Sequence, residues 1–311
     1  MDPTTPITYA NGVQTVNGDG VYHLSCTAHD YAGNTAPGAT HTVQIDGTPP
    51  TATLMCGVNP CVGGSWYTSH FTLMLGATDV TSGVATAQVS LDGGVSWVNS
   101  STLTDGIYTV RGSSSDVAGN NSAVPDTAIW VDSTAPVSAW TAADGSWVRG
   151  DALISGTSID ITSGVAQVYV STDGGVTWAS AGTSSPWMFT WHTAGLADSN
   201  QSDAGYPIWA RADDVAGNSE HTAIVHLRVD NTPPNLTLPN PLMGYDPSLT
   251  DFLSSDAASG LDHAQVTFSG NGITPRVINY PSLTGTETIG WDGIDGAGHP
   301  VPPGIYDVKI E

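Results

Sequence analysis

The sequence predicts an all-β chain of small sandwich modules repeated in tandem. Three observations carry this expectation. Turn formers and strand formers dominate the composition, a block of motifs recurs in register, and the segments between motifs alternate polar and apolar residues. Charged residues make up only 11% of the 311 positions. Lysine occurs once, at Lys309, and glutamate only at Glu220, Glu287 and Glu311, so helix-forming surfaces are absent. Asp, Gly, Pro, Ser, Thr and Asn supply turns, and Val, Thr, Ile, Trp and Tyr supply strands.

The repeats come in three sets. His29-Asp30-Tyr31-Ala32-Gly33-Asn34, Ser115-Asp116-Val117-Ala118-Gly119-Asn120 and Asp213-Asp214-Val215-Ala216-Gly217-Asn218 are one motif. Each precedes a strand-like run and a proline-containing link: Asp46-Gly47-Thr48-Pro49-Pro50, Asp132-Ser133-Thr134-Ala135-Pro136 and Asp230-Asn231-Thr232-Pro233-Pro234. Earlier in each repeat Asp79, Asp160 and Asp256 lead into Ser82-Gly83, Ser163-Gly164 and Ser259-Gly260. Hairpin turns follow at Asp92-Gly93-Gly94 and Asp173-Gly174-Gly175, where glycine supplies positive φ, and Trp97 and Trp178 close them. Tyr22, Tyr108 and Tyr206 stand eight residues before the motif aspartate.

These anchors order the strands. In the second repeat they fall near 51–55, 70–78, 85–91, 95–99, 101–105, 107–115 and 122–132. The expected modules are a partial one at 1–48 with only its C-terminal strands, one at 49–134, one at 135–232 with an insertion near 185–205, and one at 233–311 lacking its last strand. They are expected to form an extended string with proline-stiffened links. Two partial end modules suggest head-to-tail self-association, in which one chain's terminal strand completes the next chain's sandwich.

The repeat length and the tyrosine position suit an immunoglobulin-like sandwich, in which a tyrosine opens strand F. Together, Asp-x-Ala-Gly-Asn and Asp-x-Thr-Pro-Pro resemble the bacterial immunoglobulin-like repeats of very large secreted and cell-surface proteins. The segment Gly290–Tyr306 looks like the immunoglobulin-like module of flagellar hook-capping proteins. The resemblance implies adhesion, spacing or display outside the cell, without catalysis. A surface glycan or another surface protein would then be the partner. The alternative is an accessory carbohydrate-binding region of a secreted polysaccharide-degrading enzyme.

The formal net charge of −23 argues against nucleic acid and against anionic membrane surfaces. No apolar run approaches membrane-spanning length, so no insertion is expected from this segment. Met1-Asp2-Pro3 begins no signal peptide, so an exported protein would carry this chain as an internal piece. Cys56 and Cys61 bracket a turn-like loop and are candidates for a local disulfide. Cys26 has no obvious partner and is expected to be a buried small apolar residue.

Candidate chemistry is sparse. Ser90–Trp97 and Ser171–Trp178 fit the Asp-box of sialidases, which is a folding turn in that family. The scattered arginines offer no sialidase centre, and the repeated aspartates lie in turns rather than across a cleft. No required cofactor is legible. Calcium is the one candidate. In an immunoglobulin-like order, Asp79 and Asp116 converge on link residue Asp46, Asp160, Asp213 and Asp214 on Asp132, and Asp256 on Asp230. The competing reading is that each aspartate only caps its own turn. Trp140, Trp147, Trp187 and Trp191 crowd the third module, where a carbohydrate face or core packing are the two readings. The insertion near 185–205 is the feature most particular to one module.

Overall fold

The computed structural model describes residues 16, 18–183, 185–237, 248–283 and 285–311. It is all-β, with no helix among those residues and none long and apolar enough to cross a membrane. Contacts divide the chain into two compact units. The first runs to Pro136 and takes in Asp160–Gly164 and Asp213–Ser219; the second holds Val137–Ile159, Val165–Ala212 and Glu220–Glu311.

The first strands, β1 (Gly20–Cys26) and β2 (Ala39–Ile45), form an antiparallel hairpin pairing Gly20 with Ile45 through Cys26 with Ala39. No buried apolar cluster forms around it among the described residues. Cys26 is therefore exposed, which corrects the expectation of a buried thiol. The rest of the expected first module, residues 1–15 and 17, lies outside the described residues.

The second repeat is a complete sandwich. Its strands are β3 (Thr51–Cys56), β4 (Asn59–Pro60), β5 (Trp66–Tyr67), β6 (Phe71–Thr78), β7 (Val84–Ser90), β8 (Ser100–Leu103), β9 (Gly106–Asp116) and β10 (Asn121–Val131). They form sheets ordered β4-β3-β6-β8 and β5-β10-β9-β7. This is the immunoglobulin division into A-B-E and G-F-C. The expected strand at 95–99 is reduced to a single bridge between Val89 and Val98, because the chain enters β8 at Ser100 directly after it. Alternation puts Leu54, Leu73, Leu75, Val89, Leu103, Val110, Ile129 and Val131 between the sheets. Cys56 and Cys61 are disulfide-bonded beside this core.

The third repeat repeats the plan with β11 (Val137–Trp140), β12 (Trp147–Val148), β13 (Asp151–Ile159), β14 (Val165–Ser171), β15 (Ala179–Gly182), β16 (Trp187–His192), β17 (Tyr206–Asp214), β18 (Ser219–His221) and β19 (Val225–Val229). The sheets run β11-β13-β16 and β12-β19-β17-β14-β15, with β18 also on β17. The chain is lengthened on both sides of β16, which takes the place that β8 holds in the second repeat. The connection from β16 to β17 is the longer of the two additions. It is tied down by Ser199 N donating to Val229 O at 2.7 Å and Tyr206 Oη to Ala197 O at 2.8 Å.

The last repeat has β20 (Asn235–Thr237), β21 (Ser248–Ser255), β22 (Ala264–Ser269), β23 (Arg276–Tyr280), β24 (Thr286–Gly290) and β25 (Asp307–Ile310). Its sheets are β20-β21-β24 and β23-β22-β25, around Phe252, Val266, Phe268, Ile289 and Trp291. Residues 238–247 and 284 of the expected 233–311 module lie outside the described residues.

The tyrosines form the corner that immunoglobulin-like sandwiches use. Tyr22 Oη donates to Gly18 O at 3.0 Å and Tyr108 Oη to Thr104 O at 3.0 Å; Tyr306 Oη donates to Pro302 O. A hydroxyl reaching back four residues pins the entry to strand F, which brings the E–F turn and the F–G loop to set positions.

Candidate functional site

The site is built from turns. Asp79 follows β6, and its Oδ1 accepts the amides of Thr81, Ser82 and Gly83 at 3.2, 2.9 and 2.8 Å. Gly83 closes that turn at φ +82°. Asp116 ends β9, and its Oδ1 accepts Gly119 N at 2.7 Å and Asn120 N at 2.8 Å. Link residue Asp46 joins both loops. Its Oδ2 accepts Ser82 N at 3.0 Å, and its carbonyl accepts Asn120 Nδ2 at 3.0 Å. The same Nδ2 also donates to Asp116 Oδ2 at 2.7 Å. Asp46, Asp79 and Asp116 thereby each bring a carboxylate oxygen within 4.8 Å of the others.

The arrangement occurs again. Asp132 Oδ2 accepts Ser163 N at 3.0 Å, and Asp132 O accepts Asn218 Nδ2 at 2.9 Å. Asp160 Oδ1 takes Ser163 N at 2.9 Å and Gly164 N at 2.6 Å; Asp214 Oδ1 takes Gly217 N at 2.6 Å and Asn218 N at 2.8 Å. Asp132, Asp160 and Asp214 again lie within 4.8 Å of one another. Asp213 is not brought in. It faces the other side of β17, where its Oδ1 accepts Ser219 Oγ at 2.7 Å. Strand alternation forces this, because adjacent residues point to opposite faces.

The third link is half of the set. Asp230 Oδ2 accepts Ser259 N at 3.0 Å and Asp256 Oδ1 accepts Gly260 N at 2.8 Å, but no third carboxylate joins them among the described residues.

The Asp-x-Ala-Gly turn also forms where no carboxylate cluster is found among the described residues. Asp30 Oδ1 accepts Ala32 N at 2.9 Å and Asn34 N at 2.8 Å, and Asp295 Oδ1 accepts Ala297 N at 2.9 Å and His299 N at 2.8 Å. Building the turn is thus the motif's first task. In the two clusters the like charges repel. The amide donors oppose that repulsion. Hydrogen bonds, led by the Ser82 side chain, hold the Asp46 carboxyl below its ordinary range.

A second set of aspartates escapes motif reading. Asp19 Oδ1 accepts Gly47 N at 2.7 Å, Asp105 Oδ1 accepts Ser133 N at 2.9 Å, and Asp198 Oδ1 accepts Asn231 N at 2.7 Å. In each case the other oxygen takes the link threonine hydroxyl, from Thr48, Thr134 or Thr232. The link is therefore held on both sides: by the E–F aspartate behind it and by the loops of the following repeat ahead of it. For Asp105, burial opposes ionisation, but bonds from Thr134, Ser133 and His70 outweigh it and leave the carboxyl well below the usual range. A signal existed in Asp19-Gly20-x-Tyr22 and Asp105-Gly106-x-Tyr108, while the longer connection hides it before Tyr206.

His70, Asp105 and Ser133 meet, but not as a hydrolytic triad. Asp105 Oδ1 and Ser133 Oγ both lie 2.9 Å from His70 Nε2, and Ser133 Oγ also donates to Asp105. A triad needs the acid and the nucleophile on opposite ring nitrogens.

The Asp-boxes are folding turns. Asp92 Oδ1 accepts Val95 N at 3.0 Å and Ser96 N at 2.9 Å, and Asp173 does the same for Val176 at 3.0 Å and Thr177 at 2.9 Å. Trp187 and Trp191 are core residues, and Trp140 packs edge-on against Trp187 at 5.3 Å. Trp147 is half-buried, with the Arg228 guanidinium 5.6 Å from its ring centroid, so core packing accounts for Trp187 and Trp191 but not for the whole group.

No family model matches the chain, and no curated protein matches it. Among solved structures, it resembles fibronectin(III)-like modules of Clostridium thermocellum CbhA at 16% identity, over 57% of this chain and 93% of that one, with a TM-score of 0.31. It also resembles a tetra-tandem repeat from the extending region of a large adhesion protein, at 19% identity over 94% and 81%, with a TM-score of 0.31. The FN1–FN3 domains of chicken CNTN1 match at 12% identity over 85% and 93%, with a TM-score of 0.29. At such scores these likenesses carry no argument about function. The topology itself identifies a tandem run of immunoglobulin-like sandwiches.

Proposed function

We propose that this chain is a non-catalytic segment of a large extracellular surface protein, whose sandwiches space and present other domains. One observation carries the reading. The link is bound at both sides by the same hydrogen-bond set at Asp46 and at Asp132, and the set begins again at Asp230. An active site is needed once, whereas a spacing device is needed at every link.

The test labels the exposed turn residues with Val95→Cys and Val176→Cys in a Cys26→Ser background. Double electron–electron resonance then gives the distance distribution between them. Asn218→Ala, which removes the bond to Asp132 O, broadens that distribution while circular dichroism stays unchanged. An identical distribution in both proteins overturns the reading.

The convergence of three carboxylates, twice, favours Ca²⁺ as a second element of the same reading. Each cluster offers the hard oxygen atoms such an ion takes. Bound at the links, the ion would neutralise the repulsion and stabilise the fold by mass action. Adding millimolar Ca²⁺ to chelated protein raises the melting temperature, and Asp79→Asn together with Asp160→Asn abolishes the rise. Absence of both binding heat and a melting shift removes the ion from the account. The rival, an accessory region of a polysaccharide-degrading enzyme, predicts a catalytic domain in the same polypeptide.

A further inference from the structure

The two complete sandwiches expose very different side chains on the outer face of the C–F sheet. Counted from Asp92 and Asp173, Gln88 and Trp97 correspond to Tyr169 and Trp178; counted from Asp116 and Asp214, Arg111, Ser113 and Ala123 correspond to Trp209, Arg211 and His221. In the second sandwich the polar groups are used locally. Arg111 pairs with Asp126 and donates to Gly93 O at 2.9 Å, and Trp97 Nε1 donates to Gly94 O at 3.1 Å.

In the third sandwich the same positions form one aromatic surface. Val168, Val170, Ile208 and Ala210 point into the core, so Tyr169, Trp209 and Arg211 point out. The Arg211 guanidinium lies 4.7 Å from the Tyr169 ring centroid and 5.4 Å from that of Trp178. Trp178 meets the exposed His221 ring edge-on at 5.6 Å. A methyl added to Gly175 would lie 3.7 Å from Trp209 and 3.9 Å from Trp178, so both indoles rest on the hairpin turn. Trp209 Nε1 is buried and meets no acceptor.

We propose that this surface binds a neutral saccharide. The rings offer flat faces to the C–H groups of a pyranose. The cation–π contacts of Arg211 hold two of those rings in place beforehand, which lowers the ordering cost of binding. A sugar hydroxyl both donates and accepts, so it can hydrogen-bond the exposed His221 imidazole at the edge of the rings. Charge selects among sugars: a chain of formal net charge −23 repels uronates and other polyanions. This inference stands apart from the spacing role, which rests on the links.

The whole chain is titrated calorimetrically with cellohexaose, xylohexaose, laminarihexaose and maltohexaose, with hexagalacturonate as the acidic comparison. At least one neutral hexasaccharide binds with a millimolar or tighter Kd. Trp209→Ala and Tyr169→Ala each weaken it by about tenfold, equal to about 1.4 kcal/mol. His221→Ala, at an exposed position that leaves folding intact, weakens it several-fold. Trp97→Ala in the second sandwich changes nothing. Silence from all four neutral sugars, tighter binding of hexagalacturonate, equal loss in Trp97→Ala, or full retention in the three third-sandwich variants each overturns the proposal.

Discussion

The second and third sandwiches share their turns and differ in their filling. Asp46, Ser82 and Asn120 in one, and Asp132, Ser163 and Asn218 in the other, make the same bonds at nearly the same lengths. Their cores reach density by different routes. In the second, Leu75 presses on Gly112, where an added Cβ would come within 2.6 Å of its Cδ1. In the third, the position equivalent to Leu75 is Gly156, and Trp187 fills the space so closely that a Cβ there would come within 2.3 Å of the indole. Backbone turns with positive φ and a carboxylate acceptor admit few solutions, whereas core volume admits many.

The largest expected effect breaks that symmetry. Trp187→Ala removes a side chain that is 1% exposed, at a cost of about 3–5 kcal/mol. Segment-resolved hydrogen exchange should show β13 and β16 losing protection while β6 and β9 keep theirs; equal loss in both would mean that the two sandwiches unfold as one. Reducing the Cys56–Cys61 disulfide costs about 2 kcal/mol by releasing a short loop, and only the second sandwich should respond in the same measurement.

Asn120→Ala and Asn218→Ala sharpen the comparison from the other side. Each loses a bond to a carboxylate and one to a link carbonyl, so each should lower stability by the same amount, about 1–2 kcal/mol in denaturant titration. Unequal losses would show that the two link networks are not equivalent.

The smallest effect is on acid titration. Hydrogen bonds, led by the Thr177 side chain, hold the Asp173 carboxyl at about 2, below its ordinary 3.8. The Ser96 side chain leads the same depression at Asp92. A carboxyl more acidic in the folded state stabilises the fold fully above its unfolded pKa, and that contribution is lost as pH falls through the folded value. Melting temperature should hold steady down to about pH 5 and then fall toward pH 2. Asp173→Asn should flatten the fall in the third sandwich alone.

The frame was legible because its residues are dictated by local backbone geometry. Gly83, Gly93, Gly119 and Gly164 all sit at positive φ, and each neighbouring aspartate answers for a turn. What escaped depends on distance in space. Asp19, Asp105 and Asp198 meet threonines more than two dozen residues away, so no short motif marks them. Tyr169 and Arg211 read as ordinary strand residues until the fold sets the Arg211 guanidinium against the Tyr169 and Trp178 rings. Asp213 looked equivalent to Asp214 in composition, and only the two-residue period of β17 separates them. The Cys26 expectation failed because a strand residue is buried only if something covers its face.

The link network also defines what can be copied or moved as a self-sufficient piece. A fragment of the second repeat starting at Thr51 would leave Ser82 N without its Asp46 carboxylate contact and Asn120 Nδ2 without the Asp46 carbonyl. One starting at Asp46 would carry both acceptors. The heritable repeat, and the portion to graft between chains, therefore begins before the prolines, with the last residues of what looks like the preceding domain.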